Sequence, residues 1–241
     1  MMGLTPMEID VILNPAEIAL LPQRELSNAT CVVFDVLRAT SSMITALAHG
    51  ATEIHPVRTI EEAQALRQRL PNALLGGERH GDPIPGFDIG NSPFEYRDNV
   101  AGKAIISTTT NGTLALRACE AAERVLLGAV LNLKSLAAEL ERAAPARLFL
   151  VCAGTFDEFS LEDGWAAGAL ISKLKTQRLS DSAWAMMALA ARWPAPLDAG
   201  RRAKNGCALI SKGREKEVEW CMQESLFEVI GEMKAGVIRA L

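Results

Sequence analysis

Several features that define common protein classes are missing from this sequence. No run approaches the ~20 apolar residues needed to cross a bilayer, and the start lacks the basic segment of a secretory signal. There is no block of basic residues, so the chain carries no electrostatic footprint for nucleic acid. These absences predict a cytoplasmic protein with neither a membrane nor a nucleic acid as its partner.

Cysteine usage also excludes two classes. The sequence has five cysteines, an odd number, and contains no C-x-x-C pair. They are widely spaced, at positions 31, 119, 152, 207 and 221. This pattern argues against a disulfide framework and a zinc ribbon, and it favours a reducing compartment.

Most familiar phosphoryl-transfer and hydrolase motifs are absent. There is no G-x-x-x-x-G-K-[ST], no G-x-G-x-x-G and no G-x-S-x-G. The second acid of a D-x-D loop would fall at Leu37, and the arginine of a cysteine phosphatase would fall at Glu158. The segment 79–81 matches the R-H-G of histidine phosphatases, but His49 and His55 lie in unrelated contexts. None of these classes therefore explains the chain.

What is present indicates a globular protein. The 241 residues include 25 Lys and Arg against 29 Asp and Glu, a net charge of −4, and 49% are hydrophobic. A chain of this length fits one large domain or two small ones. Because the candidate site segments come from distant parts of the chain, we expect a single unit over 1–241. Within it, 177–241 is a candidate helical subdomain, and its Ala-rich helices are a candidate homodimer interface.

The hydrophobic pattern alternates between strands and helices over the first two thirds of the chain. Short apolar runs predict strands at 9–13, 31–36, 53–57, 73–75, 103–107, 124–127 and 148–152. Helical patterns cover 42–48, 60–70, 113–122 and 133–143, and then 165–175, 182–192 and 214–233. This order predicts an α/β fold with a mostly parallel sheet flanked by helices and a helix-rich C-terminal third.

One long segment fits no regular element. Residues 76–90 contain five glycines and two prolines together with charged side chains. A loop of this length inside a compact domain is usually functional or disordered. The apolar sequence on both sides favours a functional loop.

A first chemical constellation follows the second predicted strand. Asp35 stands at its carboxyl end, and Arg38, Thr40 and Ser41 follow just before a helix. Ligands bind beyond the carboxyl ends of strands in open α/β sheets, and helix N-termini attract anions. Asp35 could thus hold a metal or act as a nucleophile while Arg38 and the turn bind phosphate. The alternative is that Ser41 caps the helix and Arg38 is a surface residue.

Two further segments follow predicted strands in the same way. The run 107–113, S-T-T-T-N-G-T, offers hydroxyl and amide groups that could line an anion site, although a plain turn also explains it. Ser160 and Asp163 have the spacing of a capping box, which leaves Glu162 without a clear structural role. Glu162 and Asp163 could instead complete a Mg²⁺ site with Asp35. The pattern around Ser92 and Glu95 is typical of a helix start.

Taken together, these segments resemble the 2-phosphosulfolactate phosphatase family. FDVLRATSS, GGERHGDPIPGFDIGNSPFEY, STTTNGTLAL and VCAGTFDEFSLEDGWAAG occur in the order typical of that family. The resemblance implies Mg²⁺-dependent hydrolysis of 2-phospho-3-sulfolactate to 3-sulfolactate and phosphate, a step of coenzyme M biosynthesis in some organisms. Two departures stand out. Residues 156–158 replace a glycine-bearing turn, and the C-terminal glycine, acid and cysteine survive only as Gly213, Glu217 and Cys221.

With that resemblance, the expected partner is a small anionic phosphorylated substrate, and the cofactor is Mg²⁺ rather than Mn²⁺. The expected catalytic residues are Asp35, Arg38 and Glu162. The expected substrate-binding residues are Arg38, Thr40, Ser41, Arg79, Thr109, Asn111 and Gly112. The expected metal ligands are Asp35, Asp88, Glu162 and Asp163. Arginine suits anionic groups because its donors form a fixed fork.

Three alternatives stay open at this point. The substrate could be another small 2-phospho acid, or the chain could be a non-catalytic anion-binding protein on the same scaffold. In a phosphatase, direct attack by water and a phosphorylated Asp35 are both compatible with the sequence.

Overall fold

The computed structural model describes residues 6–175 and 177–241, which form a mixed α/β fold. Its strands are β1 (Met7–Ile12), β2 (Ala29–Phe34), β3 (Glu53–Pro56), β4 (Leu74–Arg79), β5 (Asp82–Pro83), β6 (Ala104–Thr108), β7 (Arg124–Gly128), β8 (Arg147–Cys152), β9 (Gln177–Leu179), β10 (Gly231–Lys234) and β11 (Val237–Ala240).

The helices fill the segments between these strands. They are α1 (Pro15–Leu20), α2 (Ala39–Ala48), α3 (Ile60–Arg69), α4 (Pro93–Asp98), α5 (Gly112–Ala118), α6 (Leu133–Ala143), α7 (Leu161–Ile171), α8 (Asp181–Arg192), α9 (Pro196–Arg202), α10 (Lys204–Ser211) and α11 (Glu215–Cys221). In the described part of the chain, no helix has the length and apolar character needed to cross a membrane.

The strands form one sheet in the order β5-β4-β6-β3-β11-β10-β7-β2-β8-β1-β9. Two blocks of it are parallel: β4, β6 and β3 on one side, and β7, β2, β8, β1 and β9 on the other. The hairpin β10-β11 joins the blocks by antiparallel pairing to β7 and to β3. Since three antiparallel steps separate β3 from β7, the two blocks run in opposite directions. The predicted mostly parallel sheet is confirmed. The hydrophobic pattern did not indicate that its two blocks run in opposite directions.

The core lies on both faces of the sheet. Strand β2 is buried along its whole length, with Val32 and Phe34 in one apolar cluster and Cys31 and Val33 in the other. Alternate side chains of a strand point to opposite faces, so a strand covered on both sides reads as a continuous apolar run. This burial fixes the carboxyl end of β2, and with it Asp35.

The predicted helix at 214–233 is wrong over its second half. Helix α11 ends at Cys221, and the chain returns to the sheet as β10 and β11. Ala235 and Gly236 both have positive φ, which is the geometry of a two-residue hairpin turn. Asn and Asp are favoured as the first residue of such a turn. Since this chain has Ala235 there, the sequence contained no signal for a hairpin.

The glycine-rich segment 76–90 is also more regular than expected. Strand β4 continues through Gly76 and Gly77 to Arg79. A Cβ on Gly77 would lie 1.9 Å from the Thr108 carbonyl oxygen, and Gly77 has φ +135°. Only glycine therefore lets β4 pass this close to the end of β6. The same approach brings the loops after these two strands together.

An arginine on β7 ties the hairpin to the sheet. Arg124 Nε donates to Glu232 Oε1 on β10 at 2.6 Å, and its Nη1 donates to Glu139 Oε1 on α6 at 2.7 Å. Burial acts to raise the pKa of Glu232, but hydrogen bonds from Lys234 and Arg124 outweigh it and hold that pKa below its usual range. The network thus joins the last strands to the rest of the fold.

We expect Arg124→Met to lower the free energy of unfolding by about 2 kcal/mol at pH 7, because it leaves two largely buried carboxylates without their shared partner. The folded-state pKa of Glu232 lies below its unfolded value, so this contribution is lost as pH falls and the deficit shrinks toward pH 4. Urea unfolding at both pH values measures it. Arg142→Met is the control, since Arg142 also pairs with Glu139 but is exposed, and it should cost less than about 0.5 kcal/mol. Equal losses in the two variants would contradict the assignment.

Candidate active site

A cavity of about 150 Å³ lies between the two blocks of the sheet. Its walls come from the turn after β2, the end of β4 with its loop, the loops after β6 and β8, and α10 with the residue that follows it. The residues that line the cavity include Asp35, Arg38, Glu78, His80, Thr110, Asn111, Phe156, Asn205 and Lys212. The loops at the carboxyl ends of four strands therefore meet at one place, as ligand sites in α/β proteins do.

Asp35 lies half-buried in the floor of this cavity. Its Oδ1 accepts the backbone N–H of Ala39 at 3.0 Å, at the start of α2. Burial raises its pKa to about 7; the Ala39 hydrogen bond opposes that shift, while the nearby charges of Glu78 and Glu162 reinforce it. Such a shift marks a carboxylate whose negative charge lacks a full partner in the protein alone.

Arg38 is buried in the wall beside Asp35. Its guanidinium pairs with Glu217 of α11, and its Nη2 donates to the Gly81 carbonyl oxygen at 3.2 Å. The surface-residue alternative for Arg38 is therefore wrong. Glu217 belongs to the C-terminal glycine-acid-cysteine pattern, so this pair gives the acid of that pattern a defined place.

Glu162 and Asp163 are both buried at the start of α7. Asp163 accepts the backbone N–H of Val36 at 2.8 Å and that of Gly154 at 3.2 Å, which ties the end of β2 to the end of β8. Burial raises the pKa of Asp163 well above its usual value, and the charges of Glu162 and Asp35 add to that shift. The capping box predicted for Ser160 and Asp163 is absent, because the Ser160 side chain makes no hydrogen bond that caps α7.

Glu162 differs from Asp163 in having an oxygen to spare. Its Oε1 accepts from Asn205 Nδ2 at 2.7 Å, and the same amide group lies 2.7 Å from Thr155 Oγ1. Its Oε2 is buried and has no hydrogen-bond partner among the described residues. Burial raises the pKa of Glu162, whereas hydrogen bonding to Asn205, to its own backbone and to the Ser160 side chain acts in the opposite direction. An unpartnered buried carboxylate oxygen is costly, and it points to a group that the protein alone does not supply.

Asn111 and Gly112 hold the loop after β6 against the other walls. Asn111 Nδ2 donates to the Ala153 carbonyl oxygen at 3.0 Å and to that of Phe156 at 2.8 Å. A Cβ on Gly112 would lie 2.5 Å from Asp35 Oδ2, so this position has no room for a side chain. Both residues lie at the site where the sequence placed them, Asn111 in the cavity wall and Gly112 against Asp35.

The hydroxyl groups assigned to substrate are used inside the protein. Thr40 Oγ1 bonds the backbone of Asp35, and Ser41 Oγ donates to the Val36 carbonyl oxygen at 2.8 Å. Thr109 and Thr113 bond each other's backbone across the first turn of α5. These hydroxyls are buried and shape the turns, and none of them lines the cavity.

Arg79 and Asp88 also lie outside the cavity wall. Arg79 Nη2 donates to Thr108 Oγ1 at 2.8 Å, and its Nη1 donates to the Glu78 carbonyl oxygen. Asp88 Oδ2 accepts from Arg67 Nη1 at 2.7 Å and from the Leu75 N–H at 2.8 Å. Successive side chains of a strand point in opposite directions. Glu78 and His80 therefore line the cavity, whereas Arg79 between them does not.

Sequence reasoning missed four residues at the site: Glu78, Asn205, Lys212 and Glu217. Glu78 accepts the N–H groups of Gly81 at 2.6 Å and Thr110 at 2.7 Å, joining the loops after β4 and β6. The acid was in the quoted G-G-E-R-H segment, and strand alternation could have separated it from Arg79. Asn205 and Lys212 carry no motif, so nothing in the sequence pointed to them.

The residues present fit a hard divalent cation. No three His, Cys, Asp or Glu side chains lie close enough to hold a metal in the described part of the chain. Magnesium, however, is commonly bound by one or two carboxylates together with water and phosphate oxygens. Asp35 and Glu162 are oxygen donors of this kind, and Oε2 of Glu162 is unpartnered. These carboxylates are therefore of the chemical kind that Mg²⁺ prefers.

Sequence comparisons relate nearly the whole chain to known proteins. A family model described as 2-phosphosulpholactate phosphatase matches residues 16–236. A protein of Carboxydothermus hydrogenoformans is 40% identical over 229 residues, covering 94% of this chain and 93% of the relative. One of Thermotoga petrophila is 40% identical over 227 residues, covering 92% and 96%. One of Deinococcus radiodurans is 36% identical over 233 residues, covering 92% and 97%.

All three relatives carry the name "Probable 2-phosphosulfolactate phosphatase". The matches span nearly the full length of both partners, and the resemblance predicted from the motifs is confirmed. This chain belongs to the 2-phosphosulfolactate phosphatase family.

Proposed function

We propose that this chain is a Mg²⁺-dependent phosphatase that hydrolyses 2-phospho-3-sulfolactate to 3-sulfolactate and phosphate. The observation that carries the proposal is that one cavity contains both Asp35, whose pKa is raised to about 7, and the buried Arg38. The names of the full-length relatives supply the substrate. All five cysteines are free, which suits the reducing cytoplasm that we propose as its compartment.

Asp35 and Glu162 are the residues that we propose hold the cation. Bound there, Mg²⁺ would neutralise charge on the phosphoryl group and hold a water nearby. Asp163 is a weaker candidate than its neighbour, because each of its oxygens already accepts a backbone N–H. The role left for Asp163 is to fix the ends of β2 and β8 around the site.

Arg38 and Asp35 would then act on the substrate itself. Arg38 keeps donors beyond those given to Glu217 and Gly81, and an anionic phosphoryl group is the partner they suit. Asp35 Oδ1 is occupied by the Ala39 N–H, so Oδ2 is the oxygen available for a cation or a water. Phosphoryl transfer depends mainly on positioning and charge stabilisation, and this chain provides both without a reactive thiol or hydroxyl.

We expect Asp35→Asn to reduce phosphate release from 2-phospho-3-sulfolactate by at least about 100-fold in the presence of Mg²⁺, because it removes the charge and keeps the size. Colorimetric phosphate detection with and without Mg²⁺ measures the effect. Asp157→Asn, the same change at an exposed loop position near the cavity, is the control and should retain activity. An Asp35→Asn enzyme with wild-type turnover would remove Asp35 from the mechanism.

Metal binding has its own signature in stability. The folded-state pKa of Asp35 lies above its unfolded value, so the folded chain holds more protons and its stability falls as pH rises from about 4 to 7. Mg²⁺ favours the ionised carboxylate and should reverse that loss. We therefore expect saturating Mg²⁺ to raise Tm by about 5–10 °C at pH 8 and by much less at pH 5.5.

Thermal unfolding at matched ionic strength measures this difference. In Asp35→Asn the shift at pH 8 should be small, whereas Asp157→Asn should behave like the wild type. A shift of equal size at the two pH values, or one that survives in Asp35→Asn, would contradict a metal site at Asp35.

A further inference from the structure

The wall of the cavity carries side chains of both charges. Acidic side chains of the floor, Asp35 and Glu78, come from the ends of β2 and β4. Lys212, which follows α10, lines the same cavity. Of the basic residues in the wall, Arg38 is buried and already paired with Glu217, whereas Lys212 is partly exposed to solvent. Lys212 is therefore the positive charge in the wall that a ligand can reach most readily.

The present partner of Lys212 is easily exchanged. Lys212 Nζ lies 2.9 Å from Asp82 Oδ1, and the two side chains are 43% and 62% exposed. Ion pairs this exposed contribute little to stability, so an anionic ligand can displace Asp82 at small cost. Arg214 Nη2 lies 3.9 Å from the same Asp82 oxygen, and it would keep that carboxylate paired after the exchange.

Gly81 places Lys212 at a suitable distance from the phosphoryl end. The Gly81 carbonyl oxygen accepts from Arg38 Nη2 at 3.2 Å and from Arg214 Nη1 at 2.9 Å. Lys212 Nζ lies 3.9 Å from the position of a Cβ on this glycine. Arg38 and Lys212 thus lie beside the same residue, an arrangement that suits two anionic groups of one small ligand.

Two other residues of the cavity wall have unusual backbone geometry. His80 and Phe156 both have positive φ, and their rings stack with centroids 5.6 Å apart. Phe156 adopts the left-handed conformation that glycine favours. The stack therefore gives the cavity an aromatic wall beside its charged groups.

We propose that Lys212 is a specificity-determining residue that binds the sulfonate of the substrate while Arg38 binds its phosphoryl group. The assignment rests on the proposed function, since it concerns the second anionic end of the same ligand. A compact ammonium with three donors suits the three equivalent oxygens of a sulfonate.

The test compares two substrates, 2-phospho-3-sulfolactate and 2-phospholactate, which lacks the sulfonate. Lys212→Met should raise KM for the sulfonated substrate about tenfold to hundredfold, the range for a lost charge-assisted hydrogen bond, with little change in kcat. The KM for 2-phospholactate should stay within twofold of the wild type. Lys212→Arg, which keeps the charge, should retain most of the selectivity.

Lys204→Met is the matched control. Lys204 begins the helix that Lys212 follows, pairs with the loop acid Glu158 at 2.6 Å, and does not line the cavity. It should leave both KM values unchanged.

The outcomes separate the two proposals. If Lys212→Met keeps the wild-type selectivity, or raises both KM values equally, the sulfonate assignment is wrong and the proposed function stands. If the wild-type protein releases phosphate from neither substrate, the proposed function itself is contradicted, and the sulfonate assignment falls with it.

Discussion

The site depends on one constraint: four carboxylates, three buried and one half-buried, lie where the two blocks of the sheet meet. Ionised groups in such a place are costly unless they are paired or hydrogen-bonded. Glu78 and Asp163 meet that cost by accepting backbone N–H groups from two loops each, so they join the segments that form the cavity. Asp35 and Glu162 each keep one oxygen free for something else. The same acids therefore divide into two that build the site and two that remain able to hold a cation.

The C-terminal segment completes both the fold and the cavity. Strands β10 and β11 are the only paired strands joining the two blocks in the described structure, and β11 meets β3 through the single residue pair Ile238 and Ile54. The helices before them contribute Asn205 to the cavity wall and Glu217 to the Arg38 pair. Because the two blocks run in opposite directions, parallel strand pairing alone cannot join them, and the antiparallel hairpin β10-β11 does so. The tail that closes the sheet therefore also brings the two halves of the site to each other.

Sequence reasoning recovered the elements with strong local signals and missed those set by tertiary contacts. All seven predicted strands are present, because apolar β-branched runs buried on two faces have few other interpretations. Asp35, Arg38 and Asn111, three of the predicted site residues, line the cavity, and each comes shortly after a strand. Thr40 and Ser41 have the same position in sequence, but their hydroxyls bond the local backbone, a choice that spacing does not reveal. Lys212 and Asn205 depend on how α10 packs across the cavity, which no local pattern encodes.

The net charge of −4 conceals the arrangement that matters for the ligand. Part of the acid excess is concentrated in the floor, and the charges of Lys212 and Arg214 lie on the side of the mouth. A site with both signs at close range selects a ligand that brings an anion and a cation together, since either alone would leave one side unpaired. Free carboxylates in the floor repel an unaccompanied phosphate, so the cation and the phosphoryl group are expected to bind with positive cooperativity. Under the proposed function, the charges that line the cavity would therefore select the anion, and the net charge of the chain would not.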